Sequence, residues 1–305
     1  MTTLRQMRFL VALADTRNFS RAAEQCHVTQ STLSSGLKEM EGQLGIKVAE
    51  RTTHSVLMTP EGSELANRAR DILARVGDFE DFAHSASRRG ILRLRLGAIP
   101  TVGPYLLPRA LPKFRAALPG VSIYLREELT ESLVSGLVNG RLDLILIALP
   151  HDLPPQLCTE LLFEDGYSLA APRGHPLANL DTVTGADLAG RDLLLLEQGH
   201  CLQQHALSSV PGAVLDQDQD FSATSLPTLV SMVEEGLGVT LLPRVATDAG
   251  LTKGHDLHLS HLAGARPRRV VLAWRQSTAN AALFGRIAEL LRNVRRSLSP
   301  TVGFE

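Results

Sequence analysis

Cys201 is the residue whose type and position most directly suggest chemistry. It follows the aliphatic run Leu193–Leu196, which predicts a buried strand, and it lies near the start of the next predicted helix. Gly199 allows a sharp exit from that strand. The helix dipole and a neighbouring His200 or Arg268 can stabilise a thiolate, the nucleophilic form of cysteine. The alternative is that Cys201 is an inert, small apolar residue.

Two threonines also follow predicted strands. Thr101 comes after the first strand beyond residue 90 and Thr130 after the second, and open parallel sheets bind ligands outside the carboxyl ends of their strands. Their hydroxyls can hydrogen-bond to a small polar ligand, including the two oxygens of a peroxide. A threonine in this position can instead cap the following helix. The residues alone therefore leave open both a ligand crevice and ordinary helix caps.

The chain beyond residue 90 alternates between strand and helix patterns. Apolar residues alternate or run continuously in predicted strands at 92–96, 121–125, 144–149 and 193–196. Helical patterns cover 105–117, 131–139 and 227–236. This order predicts parallel sheets in a two-lobed α/β effector domain spanning 91–305. We assign lobe I to 91–162 and 267–305, and lobe II to 163–266.

The first sixty residues predict three short helices. Asn18 and Thr29 can cap the second and third, and small Ala22 and Ala23 suit a close helix crossing. The third helix has an apolar stripe at Leu33, Leu37, Met40 and Leu44. Its other face carries Gln30, Ser31, Thr32, Ser34, Ser35 and Lys38. Such side chains suit base edges in a major groove, so a helix-turn-helix is predicted. A simple three-helix packing unit with a solvated serine face is the alternative.

Residues 51–59 predict a two-stranded wing beside these helices. Arg51 and Thr53 can hold phosphates next to the groove. Residues 1–60 contain seven basic and five acidic side chains, a net charge of +2, whereas the whole chain carries −1. Charge therefore supports a nucleic-acid partner only weakly, and the recognition must be local.

A long, one-sided helix is predicted after Pro60. Its apolar positions keep a three-and-four spacing: Leu65, Ala69, Ile72, Val76, Phe79 and Ala83. An isolated helix would leave this stripe in water, so we predict pairing with a second copy and a two-fold operator. The alternative is packing on its own domain. The expected organisation is a winged helix-turn-helix over 1–60, a linker helix over 61–88 and the effector domain.

Composition excludes several classes of protein. With 305 residues, 44% of them hydrophobic and 21% charged, the chain is neither a small disulfide-stapled protein nor a disordered one. No aliphatic run reaches membrane-spanning length, and the first residues lack a signal peptide, so we expect a soluble, cytoplasmic protein. Three scattered cysteines predict no disulfide framework. We expect no metal and no cofactor.

The N-terminal motifs resemble the winged helix-turn-helix of LysR-type transcriptional regulators. The similar segments are Phe19-Ser20-Arg21-Ala22-Ala23, Val28-Thr29-Gln30-Ser31, Leu33-Ser34, Leu44-Gly45, Glu50-Arg51 and Leu57-Met58-Thr59-Pro60-Glu61-Gly62. Ser31 departs from the proline that usually opens the family's recognition helix, and Ala49 replaces an aromatic residue or leucine. Neither change removes an expected DNA contact.

The effector domain resembles the peroxide-sensing OxyR branch of that family. The similar segments are residues 99–108, 196–202, 223–226 and 267–269. The resemblance implies that Cys201 attacks peroxide and that Thr101, Thr130, His200 and Arg268 shape its pocket. It also implies a periplasmic-binding-protein-like fold and a dimer or tetramer.

One departure affects the mechanism. The branch has a second cysteine nine positions after the first and joins the two in a disulfide, but this chain has Val210 there. Oxidation of Cys201 must then stop at sulfenic acid, continue to overoxidation, or use glutathione, a partner subunit or Cys158. We interpret Cys158 as lying between two strands and Cys26 as a core residue.

The leading hypothesis is a DNA-binding regulator that responds to peroxide through Cys201. Its partners would be double-stranded DNA, further copies of the chain and, as a further candidate, RNA polymerase. A regulator that binds a small metabolite between the lobes, with Cys201 not redox-active, is the alternative. An enzyme would need a resolving thiol or a base with oxyanion donors, and neither is evident. A solute-binding protein would need export.

Overall fold

The computed structural model describes residues 1–51, 56–87, 91–197, 202 and 222–298, with the backbone alone described at 51, 78, 81–87 and 222. The expected site residues Thr53, His200 and Cys201 lie outside these ranges, as does the side chain of Arg51. The chain divides into two compact units, residues 1–90 with 138–141, and residues 91–137 with 142–305.

The first unit is helical with one short hairpin. Its elements are α1 (Leu4–Thr16), α2 (Phe19–Gln25), α3 (Gln30–Leu44), β1 (Ala49–Arg51), β2 (Val56–Met58) and α4 (Pro60–Ser87). The strands are antiparallel, with Glu50 opposite Leu57. The predicted three helices, wing and long helix are confirmed, although β1 begins two residues before the predicted wing.

Side-chain caps define where the short helices begin. Asn18 Oδ1 accepts hydrogen bonds from the backbone N–H groups of Ser20 at 2.9 Å and Arg21 at 3.1 Å. Thr29 Oγ1 accepts one from the N–H of Thr32 at 3.3 Å. Each cap satisfies donors that have no partner within the helix. Both predicted caps are therefore confirmed.

The apolar stripe of α3 packs against α1 and α2. Leu33, Leu37 and Met40 are buried, as is the Ala22-Ala23 pair at the helix crossing. The fourth predicted stripe residue is different, since Leu44 is 42% exposed. It is the last residue of α3, and Gly45 ends the helix in the left-handed conformation at φ 72°.

The second unit holds two sheets, and its described residues form strands β3 to β13 and helices α5 to α9. The strands of its first sheet are β3 (Leu92–Ala98), β4 (Val121–Glu127), β5 (Leu144–Leu149), β6 (Leu157–Asp165) and β13 (Arg268–Arg275). Those of its second sheet are β7 (Tyr167–Pro172), β8 (Thr182–Val183), β9 (Leu193–Leu196), β10 (Ser222–Ala223), β11 (Val239–Pro243) and β12 (Leu257–Leu262). The helices are α5 (Gly103–Ala117), α6 (Thr130–Val138), α7 (Leu226–Glu234), α8 (Arg244–Asp248) and α9 (Ala281–Arg296).

The first sheet has the order β4-β3-β5-β13-β6. Strand β3 is parallel to β4 and β5, as the alternating strand and helix patterns predict. Strand β13 is antiparallel to both β5 and β6. The second sheet, β10-β9-β11-β7-β12-β8, is also mixed, because β7 is antiparallel to β11 and β12. The prediction of parallel sheets is therefore confirmed for β3 with β4 and β5 and for β9 with β10 and β11, and it was wrong for β7 and β13.

The mixed topology arises because the chain passes between the two sheets twice. Only Gly166 separates β6 from β7, and residues 263–267 lead back from β12 to β13. The expected lobe boundary at 162/163 falls inside β6, which continues to Asp165 because it pairs with β13 along that length. At the end of this pairing Asp165 lies opposite Arg268.

Helix α5 extends from the first sheet to the core of the second. Tyr105 packs against the apolar residues of the second sheet. Burial, together with the nearby Glu127 carboxylate, raises the pKa of Tyr105 to about 12. The phenol is therefore neutral at physiological pH, as its location requires.

Across the described residues, no helix combines the length and apolar character needed to cross a membrane.

Candidate functional site

The start of α3 presents a cluster of hydroxyl and amide groups. Thr29 Oγ1 lies 2.9 Å from Ser31 Oγ and 2.8 Å from Thr32 Oγ1. Ser20 Oγ, on α2, donates to Gln30 Oε1 at 3.1 Å. These bonds connect the two helices of the helix-turn-helix and fix the side chain of Gln30 relative to α2. Its amide nitrogen remains a donor that can reach a base edge.

The polar residues predicted on α3 are accessible to a partner. Gln30, Ser31, Thr32, Ser35 and Lys38 are exposed, and Ser34 is half-buried. Arg51 ends β1, so its backbone lies at the wing, and Thr53 falls between the two wing strands in the undescribed segment. The helix face and the wing thus belong to one unit.

A tight backbone contact attaches α4 to the wing. The Thr59 N–H donates to the Val48 carbonyl oxygen at 3.1 Å, and Thr59 Oγ1 donates to the carbonyl oxygen of Lys47 at 2.8 Å. The Gly62 N–H in turn donates to Thr59 Oγ1 at 2.9 Å. The first turn of α4 is therefore held directly against the strand that opens the wing.

The apolar stripe of α4 divides into two parts. Ala66 and Ala69 are buried against the core of the winged helix-turn-helix, here called the head (residues 1–60), with Leu65 packed beside them. Ile72 is 41% exposed and Phe79 is 71% exposed. Packing within the chain thus accounts for Ala66 and Ala69, and Ala74 is buried as well. Ile72 and Phe79 are exposed apolar side chains on the described part of the helix.

In the second unit, Thr101 and Arg268 meet although 167 positions separate them. Arg268 Nη1 donates to Thr101 Oγ1 at 2.9 Å, and Nη2 donates to the Thr101 carbonyl oxygen at 3.2 Å. Thr101 is 2% exposed and Arg268 is 1% exposed. Since Val102 is the N-cap of α5 and makes no side-chain cap bond, Thr101 is not a helix cap. Its hydroxyl proton is directed away from Arg268, because the oxygen accepts from the guanidinium.

Asp165 balances the charge of Arg268. Its Oδ2 accepts from Arg268 Nε at 3.1 Å and from Nη2 at 2.9 Å. Both side chains are 0% exposed. A buried guanidinium is stable only with a counter-charge and filled hydrogen bonds, and Asp165 supplies both. Asp165 and Thr101 together engage four of the five N–H donors of the guanidinium.

Thr130 occupies the equivalent position on the neighbouring strand. Ala98 of β3 pairs with Glu127 of β4, so Thr101 and Thr130 each lie three residues beyond one paired position of two parallel strands. Thr130 is 3% exposed, and among the described residues its Oγ1 has no hydrogen-bond partner. A buried hydroxyl without a partner usually marks a place for water or a ligand.

Comparison with known proteins decides the family. Residues 4–63 match the family described as "Bacterial regulatory helix-turn-helix protein, lysR family", and residues 87–296 match "LysR substrate binding domain". The chain belongs to the LysR family of transcriptional regulators.

Several relatives of this LysR-family protein extend over its full length. It is 38% identical over 290 residues to the "DNA-binding transcriptional dual regulator OxyR" of Escherichia coli strain K12, covering 95% of this chain and 94% of that one. A full-length OxyR variant of Pseudomonas aeruginosa superposes with a TM-score of 0.67 at 32% identity, covering 98% and 99% of the two chains. A hydrogen peroxide-bound OxyR mutant of Corynebacterium glutamicum gives 0.65 at 27% identity, covering 100% and 99%.

The described cysteines of this LysR-family chain lie in different units. Cys26 is half-buried at the end of α2, and its Sγ lies 3.8 Å from the carbonyl oxygen of Arg8. Burial raises the pKa of the Cys26 thiol, and Arg8 lowers it by a smaller amount. Cys158 is also half-buried, but it lies within β6 opposite Trp274, not between strands as predicted. Cys201 follows β9 in the undescribed segment, as does His200.

Asp165 is the site residue that sequence reasoning missed. A signal was present, since a carboxylate directly before a glycine lies where a chain can change direction. The pairing itself joins residues 103 positions apart, and no local pattern encodes such a contact. Within the described ranges, no group of three or more His, Cys, Asp or Glu side chains is arranged to hold a metal ion.

Proposed function

We propose that this LysR-family protein is a cytoplasmic regulator that binds a two-fold operator and responds to hydrogen peroxide through oxidation of Cys201. One observation carries the proposal: the Arg268 guanidinium donates to the buried hydroxyl of Thr101 beyond the carboxyl end of β3. The buried Thr130 hydroxyl beyond the next strand, which has no partner within the described part of the chain, supports it. So does the similarity to the peroxide-bound OxyR structure. Two hydroxyls and one cation suit a small neutral ligand with two oxygens.

The chemistry uses the cysteine as a nucleophile. The Cys201 thiolate sulfur attacks one peroxide oxygen, a sulfur–oxygen bond forms, and the oxygen–oxygen bond breaks. Sulfur is oxidised to sulfenic acid, and the peroxide is reduced. The leaving hydroxide takes up one proton and departs as water. Arg268 supplies positive charge that favours the developing hydroxide, and the Thr101 hydroxyl is free to donate to a peroxide oxygen.

Val210 limits the products that oxidation can form. The resolving cysteine of the OxyR branch is absent at this position, so the first stable product is the sulfenic acid or a mixed disulfide with another thiol. Cys26 is a poor competitor for peroxide, because burial keeps it in the thiol form. It therefore serves as an internal reference for the reactivity of Cys201.

The proposal is tested by mass spectrometry of the reduced protein after brief exposure to one equivalent of peroxide with a sulfenic-acid trap present. We expect Cys201 to be trapped or disulfide-linked before Cys26 and Cys158. In Cys201→Ser, the peroxide-dependent change in the DNA footprint should disappear, while DNA binding without peroxide stays within two-fold of wild type.

Equal reactivity of the three cysteines would reject peroxide sensing and leave a regulator that binds a metabolite between the lobes. A persistent, peroxide-dependent footprint in Cys201→Ser would do the same. Sustained peroxide consumption with a thiol reductant, beyond one equivalent per chain, would instead indicate an enzyme.

We infer that α3 is the recognition helix and that the dimer forms along the face of α4 that carries Ile72 and Phe79. Exposed Gln30, Ser31, Thr32, Ser35 and Lys38, with Ser34, form the surface that reads base edges, and Arg51 and Thr53 contact phosphates at the wing. Pairing of two α4 helices would cover Ile72 and Phe79 and set the spacing of the two heads.

Gln30 gives a direct test of this DNA surface. Gln30→Ala should lower specific affinity by about 1–3 kcal/mol, because it removes a base-edge contact, and leave the salt dependence of binding unchanged. Arg51→Ala should instead reduce the salt slope by about one, as expected for a lost phosphate contact. Both are measured by anisotropy on a duplex selected from a random library.

The matched control is Gln43→Ala, on the same helix, where the amide is bonded to Glu39 at 3.2 Å. It should bind like wild type. A Gln30→Ala protein with unchanged affinity for the selected duplex would remove α3 from the proposed interface.

A further inference from the structure

The region around Arg268 is where the two sheets of the second unit are joined. Asp165 ends β6, Gly166 is the crossover residue, and Arg268 begins β13 after the return crossover. The ion pair between Asp165 and Arg268 therefore lies between the two points at which the chain changes lobes. Any change in the angle between the lobes must be accommodated here.

The second oxygen of Asp165 is bonded to the second lobe, which contains the second sheet, whereas Asp165 itself ends a strand of the first sheet and so belongs to the first lobe. Asp165 Oδ1 accepts from the backbone N–H of Val245, in the first turn of α8, at 2.8 Å. The preceding N–H, of Arg244, donates to the carbonyl oxygen of Gly166 at 2.9 Å. One carboxylate thus bonds the guanidinium through Oδ2 and the second lobe through Oδ1.

Helix α8 is also held at its other end by the first lobe. Arg295 Nη2, on α9, forms an ion pair with Asp248 Oδ2 at 2.7 Å. Arg109 Nη2, on α5, donates to the carbonyl oxygen of Ala249 at 2.9 Å. These two contacts attach the carboxyl-terminal end of α8 to the first lobe independently of Asp165. The amino-terminal end of α8 is therefore fixed in place to support Asp165.

We propose that Asp165 is a positioning residue for peroxide reactivity: it fixes the Arg268 guanidinium against Thr101 and takes its own position from α8 of the second lobe. Asp165 does not touch the peroxide. It acts because the Nε and Nη2 edge of Arg268 rests on Oδ2, which turns Nη1 toward the Thr101 hydroxyl. This inference rests on the proposed function of Cys201.

An amide cannot replace this carboxylate. Both oxygens of Asp165 accept from N–H donors, so the NH₂ group of an asparagine would face either the guanidinium or the Val245 N–H. Either orientation places two donors together in a dry site and removes the negative charge of Asp165 from beside Arg268. We expect the guanidinium to rotate away from Thr101 as a result.

The test compares Asp165→Asn with Asp143→Asn in the full-length protein. Asp143 is a matched control, because both its oxygens also accept donors, from the backbone and guanidinium of Arg95, and its side chain is 11% exposed. It precedes β5 on the amino-terminal side and has no hydrogen bond to Thr101 among those the structure describes. Both substitutions should lower stability.

The readout is the rate of Cys201 oxidation by hydrogen peroxide beside its rate of alkylation by iodoacetamide. We expect Asp165→Asn to slow oxidation at least tenfold with alkylation within two-fold of wild type, and Asp143→Asn to change neither rate by more than two-fold. General loosening of the fold would alter both reactions. Wild-type oxidation in Asp165→Asn, or equal losses in the two variants, would overturn the proposal.

A crystal structure of full-length Asp165→Asn separates this proposal from the proposed function. The guanidinium of Arg268 should have moved beyond hydrogen-bond distance of Thr101. An unmoved Arg268 overturns the positioning role whatever the peroxide result. If wild-type Cys201 does not react with peroxide, the proposed sensing function fails, and the expected effect of Asp165→Asn on oxidation fails with it. A displaced Arg268 in the crystal structure would still show that Asp165 positions the guanidinium.

Discussion

Replacing Gly62 with alanine is expected to unfold the winged head and abolish DNA binding. A Cβ at this position would lie 1.9 Å from the Val48 carbonyl oxygen and 2.7 Å from its carbonyl carbon. The obstacle is backbone that also accepts the Thr59 N–H, so no side-chain rotation can relieve it. The expected loss is at least about 3 kcal/mol, the upper end for overpacking. The measurements are urea unfolding by circular dichroism and DNA binding by anisotropy.

Gly42→Ala is the control for this substitution. Gly42 lies within α3, and among the described residues no atom beyond the adjacent residues and the backbone of its own helix lies within 4 Å of the position that a Cβ would take there. Alanine in a helix interior should stabilise the head by about 0.5–1 kcal/mol. A Gly62→Ala protein with the same free energy of unfolding and the same DNA affinity as Gly42→Ala would contradict the close packing of α4 on the wing.

Introducing a charge at Phe79 should separate the two heads of a dimer. Phe79 is 71% exposed on the described chain, and its burial against a second α4 would account for an apolar face that is otherwise wet. In Phe79→Glu, two like charges would meet at the two-fold axis. Affinity for a two-half-site operator should fall at least about 100-fold, because the second head no longer binds at a high effective concentration.

Sedimentation velocity and footprinting measure this effect. The variant should sediment as a smaller assembly than wild type and should protect single half-sites only at high concentration. Leu237→Glu, which changes a residue 50% exposed in the effector domain, controls for the added charge. Wild-type mass and a wild-type footprint in Phe79→Glu would place the dimer contact elsewhere.

Local sequence patterns predicted most of the individual elements of this protein. Asn18 and Thr29 predict helix starts because a cap bond forms between residues two or three apart. The buried strand Leu144–Leu149 is equally evident, since its residues are aliphatic throughout. The motifs of the head and effector domain also pointed to the LysR family, and the family matches over 4–63 and 87–296 confirm it.

Strand direction could not be predicted in the same way. An apolar pattern such as that of Leu144–Leu149 predicts a strand, but it contains no information about whether the neighbouring strands run parallel or antiparallel. That depends on where the chain crosses between the sheets, at Gly166 and again after β12. The exposure of Leu44 similarly depends on the end of α3 at Gly45.

The construction of the candidate site depends on contacts between distant parts of the chain. The sequence pointed to Thr101, Thr130 and Arg268, but the carboxylate that holds Arg268 reaches it only through the pairing of β6 with β13. Caps and apolar stripes arise from neighbours along the chain, so sequence spacing encodes them. The contacts of Arg268 with Asp165 and Thr101 arise because a desolvated charge must find its counter-charge and acceptors wherever the fold brings them, here 103 and 167 residues away.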